Sequence, residues 1–397
     1  MRRRARAACA LVALALAAPV RGGAEPSNVA LLDAVRVRYE LPAVAAAVVK
    51  KGVVVFSAAV GTRRAGFEIP VTPSDRFHIG SDGKAMTALV AATLVEQGRI
   101  RFESTVAEVF PELAERMDPR FAKITLEALL SHTSGLASDD EDFEELLEAA
   151  ALRRGNLDEV RAWIVEERAP LALEAEPRSR FAYSNLGYLI AGAMLERVSG
   201  KTFEELVVER VFTPLGLDSA GFGSAARVGR TDAPLGHLDA FGKRVAVLAG
   251  PSADNPPVLG PAGTIHLSLL DFAHWAGWNA GAGRRGPALV APEMLARLQR
   301  PVVRMPEKPG AAPGTPSRGG YGLGWGEIEV DWAARPFLFH GGSNVLNLAH
   351  IWVRPASDFA MVLVTNIGGS KAEQALFELA KELHARFGET GTPEPGA

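Results

Sequence analysis

The segment FHIGSDGKAMTALVAATLVEQG, residues 77–98, decides how the rest of the chain is interpreted. Apolar residues recur at helical spacing from Met86 onward, so the segment predicts a buried helix that begins just after Ser81. Lys84 falls on the first turn of this helix, three residues after Ser81. Side chains at this spacing are neighbours on a helix, so the Lys84 amine is predicted to reach the Ser81 hydroxyl.

A serine beside a lysine at the start of a helix suits nucleophilic catalysis. The free backbone N–H groups and the positive end of the helix dipole stabilise negative charge on oxygen. A partly desolvated lysine has a lowered pKa and can accept the serine proton. This is the Ser-x-x-Lys arrangement of serine enzymes that form acyl intermediates. The alternative is a capping serine followed by a surface lysine, although the chain contains no other Ser-x-x-Lys.

A second motif, Tyr183-Ser184-Asn185, stands just before another apolar helix pattern. The Tyr183 phenol can move protons if a nearby ammonium lowers its pKa. The Asn185 amide is suited either to binding a substrate carbonyl or to holding Lys84. The alternative interpretation is a tyrosine half-buried at a helix start.

The third motif lies in FLFHGGSNVLNL, residues 337–348, where an apolar strand leads into His340-Gly341-Gly342-Ser343. Two glycines at a strand edge permit close approach by another chain or a ligand. The backbone N–H of Ser343 is therefore a candidate oxyanion donor, paired with that of Ser81. The alternative is a bulge that carries a structural histidine.

The composition is that of a folded chain with a sizeable core, since 48% of its 397 residues are hydrophobic and 22% are charged. The net charge of -3 gives no reason to expect a nucleic-acid or anionic-membrane partner. No stretch after the first residues reaches 18 uninterrupted apolar residues, so no membrane span is predicted in the mature chain.

Residues 1–24 have the layout of a secretory signal peptide, with a basic start, an apolar run from Ala7 to Ala18 and small residues up to Ala24. Cleavage after Ala24 and export to a bacterial periplasm or beyond are predicted; an uncleaved anchor is the alternative. Cys9 is the only cysteine, so the mature chain has no disulfide and no thiol nucleophile.

Strand patterns lie at both ends of the sequence and helical patterns fill the middle. Residues 43–61 read AVAAAVVKKGVVVFSAAVG and predict a hairpin, and β-rich segments return within residues 337–366. The predicted helices are 84–97, 125–130, 141–152, 157–166, 186–198, 203–210, 269–279 and 371–387.

These patterns predict an α/β (α+β) fold in which an antiparallel sheet receives strands from both ends of the chain. The sheet region is expected at about 25–80 and 318–388, with a mainly helical region at about 81–317 inserted between them. One domain is predicted over 25–388, followed by a flexible tail at 389–397.

Two segments outside the motifs are candidates for shaping a site. Residues 305–320 form a Pro/Gly-rich loop that is long enough to be functional or mobile. The acidic run at 138–150 predicts a solvated helix start, with a lid over a cleft as the alternative.

In their order and local context, the three motifs resemble those of the serine β-lactamase and penicillin-recognising enzymes, most closely the class C-like branch of carboxylesterases, D-aminopeptidases and DD-peptidases. That family carries Ser-x-x-Lys, then Tyr-x-Asn, then Lys-Thr-Gly or His-x-Gly on a strand. Further similar stretches are LLSHTSGL (129–136), FTPLGLDSAGFG (212–223), GPAGTIHLSLLDFAHW (260–275) and YGLGW (321–325). The resemblance covers residues 30–387 and implies a cleft between the sheet and an all-helical region.

The resemblance also implies a role for each matching residue. Ser81 is the implied nucleophile, and Lys84 activates it. Tyr183 is the implied general base and then the acid that protonates the leaving group. Binding of the substrate falls to Asn185, His340 and Gly342, and the oxyanion hole to the backbone amides of Ser81 and Ser343. The reaction is acylation of Ser81 followed by hydrolysis of that ester.

Two departures from the family pattern bear on the substrate. His340 replaces the lysine of the usual lactamase motif, and a histidine is mostly neutral at neutral pH. This weakens the case for β-lactam turnover and favours esters or peptides, although the DD-peptidase branch also uses His-x-Gly. The second departure is Asp82-Gly83 between Ser81 and Lys84, to which the sequence assigns no function.

Other classes of enzyme fit the sequence less well. An α/β-hydrolase needs Gly-x-Ser-x-Gly, but Ile79 stands two residues before Ser81. The eight histidines are scattered without a His-Glu-x-x-His motif, so no metal and no cofactor is predicted. The HTSGL stretch around His132 is interpreted as a turn.

The sequence therefore predicts a serine hydrolase of small esters or amides, most simply a carboxylesterase. The alternatives are a DD-peptidase, a D-aminopeptidase or a β-lactamase that acts on peptidoglycan peptides or β-lactams. A different class of protein is a non-catalytic member of the family that binds peptidoglycan fragments or a partner protein.

Overall fold

The computed structural model describes residues 25–139, 141–240 and 242–388. The predicted signal peptide with Cys9 and the predicted tail at 389–397 lie outside the described residues. Among the described residues, no helix combines the length and the apolar character needed to cross a membrane.

An antiparallel sheet of eight strands forms the centre of the molecule, with the strand order β2-β1-β13-β12-β11-β10-β9-β8. Its strands are β1 (Ala43–Lys50), β2 (Val53–Gly61), β8 (Val303–Arg304), β9 (Arg318–Tyr321), β10 (Gly326–Glu329), β11 (Phe337–Ser343), β12 (Leu348–Arg354) and β13 (Phe359–Thr365). The predicted fold is confirmed, because the first hairpin pairs directly with the last strand of the chain.

The central strands are apolar throughout because both faces of the sheet are covered. In β1, Ala45 and Ala47 pack into the core shared with the helical region. Val44 and Val48 point the other way, into the core under the terminal helices. The alternation of a strand thus gives two buried faces, and β1 needs no polar face.

The helices of the described ranges lie mostly between β2 and β8. They are α1 (Pro26–Arg38), α2 (Lys84–Glu96), α3 (Val106–Val109), α4 (Leu126–Leu130), α5 (Glu141–Leu152), α6 (Leu157–Arg168), α7 (Asn185–Ser199), α8 (Phe203–Val207), α9 (Thr213–Leu215), α10 (Gly260–Gly263), α11 (Leu269–Ala280), α12 (Pro292–Gln299) and α13 (Ser370–Phe387). Helices α1 and α13 pack on one face of the sheet, and α11 packs on the other.

The predicted helices are confirmed, with most ends within two residues of those expected. The exception is 203–210, where α8 ends at Val207 and the chain continues as a π-helical turn over Val208–Phe212. Helix α1 was not predicted, because it buries only a narrow stripe that includes Leu32 and Val35.

Short strands outside the main sheet also occur in the part of the chain between β2 and β8. They are β3 (Arg76–His78), β4 (Gly221–Phe222), β5 (His237–Ala240), β6 (Lys243–Ala246) and β7 (Ile265–Ser268). Strand β3 is not part of the main sheet; it pairs with β7 in a separate sheet of three strands. This pairing holds the chain that enters the segment around Ser81.

Candidate active site

Ser81 lies on a 3-10 turn, Gly80–Gly83, that joins β3 to α2. The α-helix proper begins at Lys84, and its first residues have no side-chain cap, so Ser81 is not a capping serine. The Ser81 hydroxyl instead contacts the Lys84 amine and the Tyr183 phenol. Gly80 has a positive φ of 51°, and a side chain there would collide with the backbone N of Ser343. The turn is therefore packed directly against β11.

Lys84 is completely buried, and its amine has three hydrogen-bond acceptors. Nζ donates to Ser81 Oγ at 3.0 Å, to Asn185 Oδ1 at 2.6 Å and to the Ala262 carbonyl at 2.7 Å. These three contacts match the three donors of an ammonium group. Burial lowers the pKa of Lys84 to about 7, although the carboxylates of Asp139 and Asp82 oppose this shift. Lys84 can therefore take up and release a proton near neutral pH.

The Tyr183 phenol donates a hydrogen bond to Ser81 Oγ at 2.9 Å. Its ring packs against the imidazole of His132, with 4.2 Å between the ring centroids. The condition stated for proton transfer by Tyr183, a pKa lowered by a nearby ammonium, is not met. Loss of solvent around the phenol raises its pKa, and the negative charges of Asp139 and Asp82 add to this effect. Tyr183 is thus a protonated donor toward Ser81.

Asn185 is the first residue of α7, directly after the capping residue Ser184. Its Oδ1 accepts the hydrogen bond from Lys84, while its Nδ2 and its backbone N–H both donate to Asp139. Both ends of the amide are thus engaged by protein groups. Of the two roles that the sequence allowed, the structure shows Asn185 holding Lys84.

His340 lies on β11 with its imidazole buried beside Tyr321. The Tyr321 hydroxyl and His340 Nε2 form a hydrogen bond of 2.9 Å, and His340 Nδ1 lies 3.7 Å from Asp82 Oδ1. Burial and the neighbouring Lys84 lower the pKa of His340 to about 3. His340 is therefore neutral at neutral pH and does not replace the fixed positive charge of a lysine.

The close approach predicted for the glycines of β11 occurs at Gly342. A Cβ at Gly342 would overlap the carbonyl of Ile79 and would lie 2.7 Å from the backbone N of Ser81. The chain that approaches is therefore the turn that carries Ser81. Ser343 follows, and its hydroxyl donates to the Asn347 carbonyl, which leaves its backbone as the part that faces the turn.

Asp82, to which the sequence assigned no function, is completely buried under the turn. Within the described ranges, neither of its carboxylate oxygens has a hydrogen-bond partner. Burial raises the pKa of Asp82 well above its usual range, although the positive charge of Lys84 opposes the shift.

Several residues that complete the site were not predicted as site residues. His132, on the stretch interpreted as a turn, has a positive φ of 57° and accepts the Ser184 N–H on Nδ1 at 3.1 Å. Asp139 binds Asn185 from the opposite side. The segment from His132 to Asp139 thus holds the start of α7 by two hydrogen bonds. The HTSGL motif, which begins at His132, is the sequence signal that could have indicated this segment.

A cavity of about 670 Å³ opens beside Tyr183 and His340. The predicted loop contributes a large part of its wall, between β8 and β9. The lining residues on this loop are Met305, Pro306, Lys308, Ala311, Thr315, Pro316 and Ser317. Phe181, Phe339 and Phe377 give the remaining wall a mainly apolar character. The 305–320 loop therefore shapes the space beside Tyr183 and His340, which agrees with the first of its two predicted properties, functional or mobile.

Comparison with known proteins agrees with this fold. The family described as Beta-lactamase matches residues 26–385. The chain belongs to the β-lactamase family and so to the hydrolases of the β-lactamase and penicillin-binding protein superfamily.

Individual relatives are distant in sequence. Penicillin-binding protein 4 of Amycolatopsis lactamdurans is 27% identical over 366 residues, which cover 91% of this chain and 90% of that protein. Protein flp of Staphylococcus aureus (strain N315) is 21% identical over 87% of this chain, and the match spans 64% of its own length.

Two solved structures share the fold. The octameric penicillin-binding protein homologue from Pyrococcus abyssi has a TM-score of 0.73 and 22% identity, covering 90% of this chain and 77% of that one. A D-stereospecific amidohydrolase from Streptomyces sp. has a TM-score of 0.69 and 22% identity, covering 93% of this chain and 100% of that one.

Proposed function

We propose that this protein is an exported serine hydrolase that forms an acyl-enzyme on Ser81, and that its preferred substrates are carboxylic esters. The observation that carries the proposal is the set of direct hydrogen bonds among Ser81, Lys84 and Tyr183 around one hydroxyl. A buried lysine with a pKa near 7 is a base that can activate a serine at neutral pH.

The first half-reaction transfers the acyl group to Ser81. Neutral Lys84 takes the hydroxyl proton while Oγ attacks the carbonyl carbon, and the negative charge on the carbonyl oxygen is stabilised by the amides of Ser81 and Ser343. Tyr183 donates its proton to the departing alkoxide and regains one from Lys84. Water then attacks the ester carbonyl while neutral Lys84 takes a proton from it, and the Ser81 oxygen leaves with the proton returned by Lys84, which releases the acid and restores Ser81.

The neutral state of His340 favours esters over β-lactams. A lactam or peptide that carries a carboxylate gains from a fixed cation beside the strand, and His340 does not supply one. The cavity next to Tyr183 is mainly apolar, although Lys308, Arg318 and Glu373 also line it, and its apolar part suits an uncharged leaving group. The D-stereospecific amidohydrolase among the structural neighbours favours amide hydrolysis as a second candidate.

Covalent modification of Ser81 tests the proposal. Incubation with a fluorophosphonate should add the mass of one phosphonyl group to Ser81, and the Ser81→Ala protein should remain unlabelled. Activated p-nitrophenyl esters should be hydrolysed much faster than a chromogenic cephalosporin or a D-Ala-D-Ala peptide. No labelling by any acylating probe would support a non-catalytic binding protein, and fast cephalosporin turnover would reverse the ranking of substrates.

The cavity predicts a preference for the alcohol part of the ester, and a pair of variants at neighbouring positions can measure it. Tyr183 lines the cavity and protonates the leaving group, so we expect the cavity to receive the alcohol part of the ester. Ala311→Trp should fill the cavity and lower kcat/KM for a naphthyl ester about tenfold, mainly through KM, with little effect on the ethyl ester of the same acid.

Ala312 is the matched control for this variant, because it lies next to Ala311 but is exposed and does not line the cavity. Ala312→Trp should leave both esters unchanged. If Ala311→Trp instead discriminates among acyl groups with a fixed alcohol, the cavity serves the acyl part and the assignment is wrong.

A further inference from the structure

Asp139 contacts the site from the loop that precedes α5. Its Oδ1 accepts the backbone N–H of Asn185 at 3.0 Å, and its Oδ2 accepts the side-chain Nδ2 of the same residue. One carboxylate therefore receives two donors of a single residue. The exposed carboxylates on the first turn of α5, Glu141 and Asp142, continue the acidic run into solvent.

The contact fixes which way the Asn185 amide points. An amide has one donor end and one acceptor end. With Nδ2 bound to Asp139, Oδ1 is turned toward Lys84 Nζ at 2.6 Å. The flipped amide would place its oxygen against the carboxylate and its NH2 against the ammonium, so both contacts would become repulsive. Asp139 thus selects the orientation that holds Lys84.

Asp139 also contributes charge to the surroundings of Lys84. On the turn before α2, burial raises the pKa of Asp82. His340 on β11 and His132 on the segment between α4 and α5 are also buried, and burial lowers the pKa of each imidazole. Tyr183 and Tyr188, whose rings lie under the Lys84 amine, both have raised pKa values. Two carboxylates, those of Asp139 and then Asp82, oppose the lowering of the Lys84 pKa by burial, and Asp139 has the larger effect.

We propose that Asp139 is a positioning residue for the reaction: it orients Asn185 and, through this contact and its negative charge, sets the pH range in which Lys84 serves as the base. This inference rests on the proposed function, because it concerns the same lysine. Asp139 belongs to the acidic run at 138–150, for which the sequence predicts a solvated helix start. The proposal gives one residue of this run a role in the reaction.

The test follows the rate at which a fluorophosphonate phosphonylates Ser81, with release of fluoride, between about pH 5 and about pH 10. Asp139→Asn removes the charge and can accept only one of the two Asn185 donors. We expect its maximal rate to fall about 10- to 100-fold, because Lys84 is held less firmly. Without the negative charge the pKa of Lys84 falls, so the pH of half-maximal rate should move down by about half a unit or more.

Two further variants separate this role from a structural one. Asp139→Glu keeps the charge and should retain the wild-type midpoint even if its rate falls. Asp142→Asn removes an exposed carboxylate of the same run and should change neither the rate nor the midpoint. A slower Asp139→Asn protein with an unmoved midpoint, or an equal shift in Asp142→Asn, would overturn the proposal.

Failure of every probe to label Ser81 in the wild-type protein would contradict the proposed function. The role of Asp139 can still be tested in that case. The Lys84 amine can then be titrated directly by NMR of protein labelled with 15N-lysine. A lower Lys84 pKa in Asp139→Asn than in wild type supports the role of Asp139, and equal values contradict it.

Discussion

Replacing Lys84 with methionine should slow the reaction of Ser81 with a fluorophosphonate by about 10²- to 10⁴-fold, the range of a lost general base. Methionine keeps the unbranched stem in its buried place on α2, but it removes the one group that can accept the Ser81 proton. Tyr183 cannot take over, because its raised pKa keeps the phenol protonated and its hydroxyl already donates to Ser81.

The rate of fluorophosphonate labelling, followed by intact-protein mass spectrometry, measures this effect without a known substrate. Lys123→Met, at an exposed lysine, is the control and should label at the wild-type rate. A thermal unfolding curve is the check that Lys84→Met is folded. Labelling within about tenfold of wild type would remove Lys84 from the role of base.

The wild-type rate should also depend on pH in a way that identifies Lys84. The neutral amine is the active form, and burial lowers its pKa to about 7, so the rate should rise as the pH increases through about 7. His340, with a pKa of about 3, adds no second step in this range. A midpoint near the usual lysine value, above about 10, would show that the amine is solvated and would contradict the burial seen here.

Features that depend on neighbours in sequence could be predicted from the chain alone. The contact between Ser81 and Lys84 follows from their spacing, and the hairpin of β1 and β2 follows from two apolar runs around Lys50-Lys51-Gly52. The stop at Gly200, with a positive φ of 71°, and the restart at Thr202 follow from local capping chemistry. In each case the determining interactions lie within a few residues.

Features that depend on distant segments could not be read from one sequence. The Ala262 carbonyl reaches Lys84 across 178 positions, and any residue could supply a backbone oxygen there. Asp139 is one acid in a run of acids, and only the fold shows which of them faces Asn185. The direction of the Tyr183 pKa shift could not be derived from the sequence, because it depends mainly on burial of the phenol.

The packing of Gly342 against the turn of Ser81 predicts the second large effect. In Gly342→Ala the new methyl group would overlap the Ile79 carbonyl and lie 2.7 Å from the N of Ser81 and 2.8 Å from the N of Asp82. All of these are backbone atoms, so the strand and the turn must separate. Because Ser81 and Ser343 lie on the two sides of this contact, both of the proposed oxyanion donors should move. We expect kcat to fall about 10²- to 10³-fold, with a loss of stability of about 2 kcal/mol.

Gly341→Ala is the matched control one residue away on the same strand. Its methyl group would meet only side chains, those of His350 and Phe339, at 3.5 Å, which is an ordinary van der Waals distance. This variant should keep its activity within about threefold and its thermal stability close to that of wild type. Ester turnover and thermal unfolding of both variants measure the difference. If both alanine variants had the same effect, the loss of activity would come from reduced flexibility of the strand and not from its close approach to Ser81. That result would remove the structural basis for placing the oxyanion hole between the turn and β11.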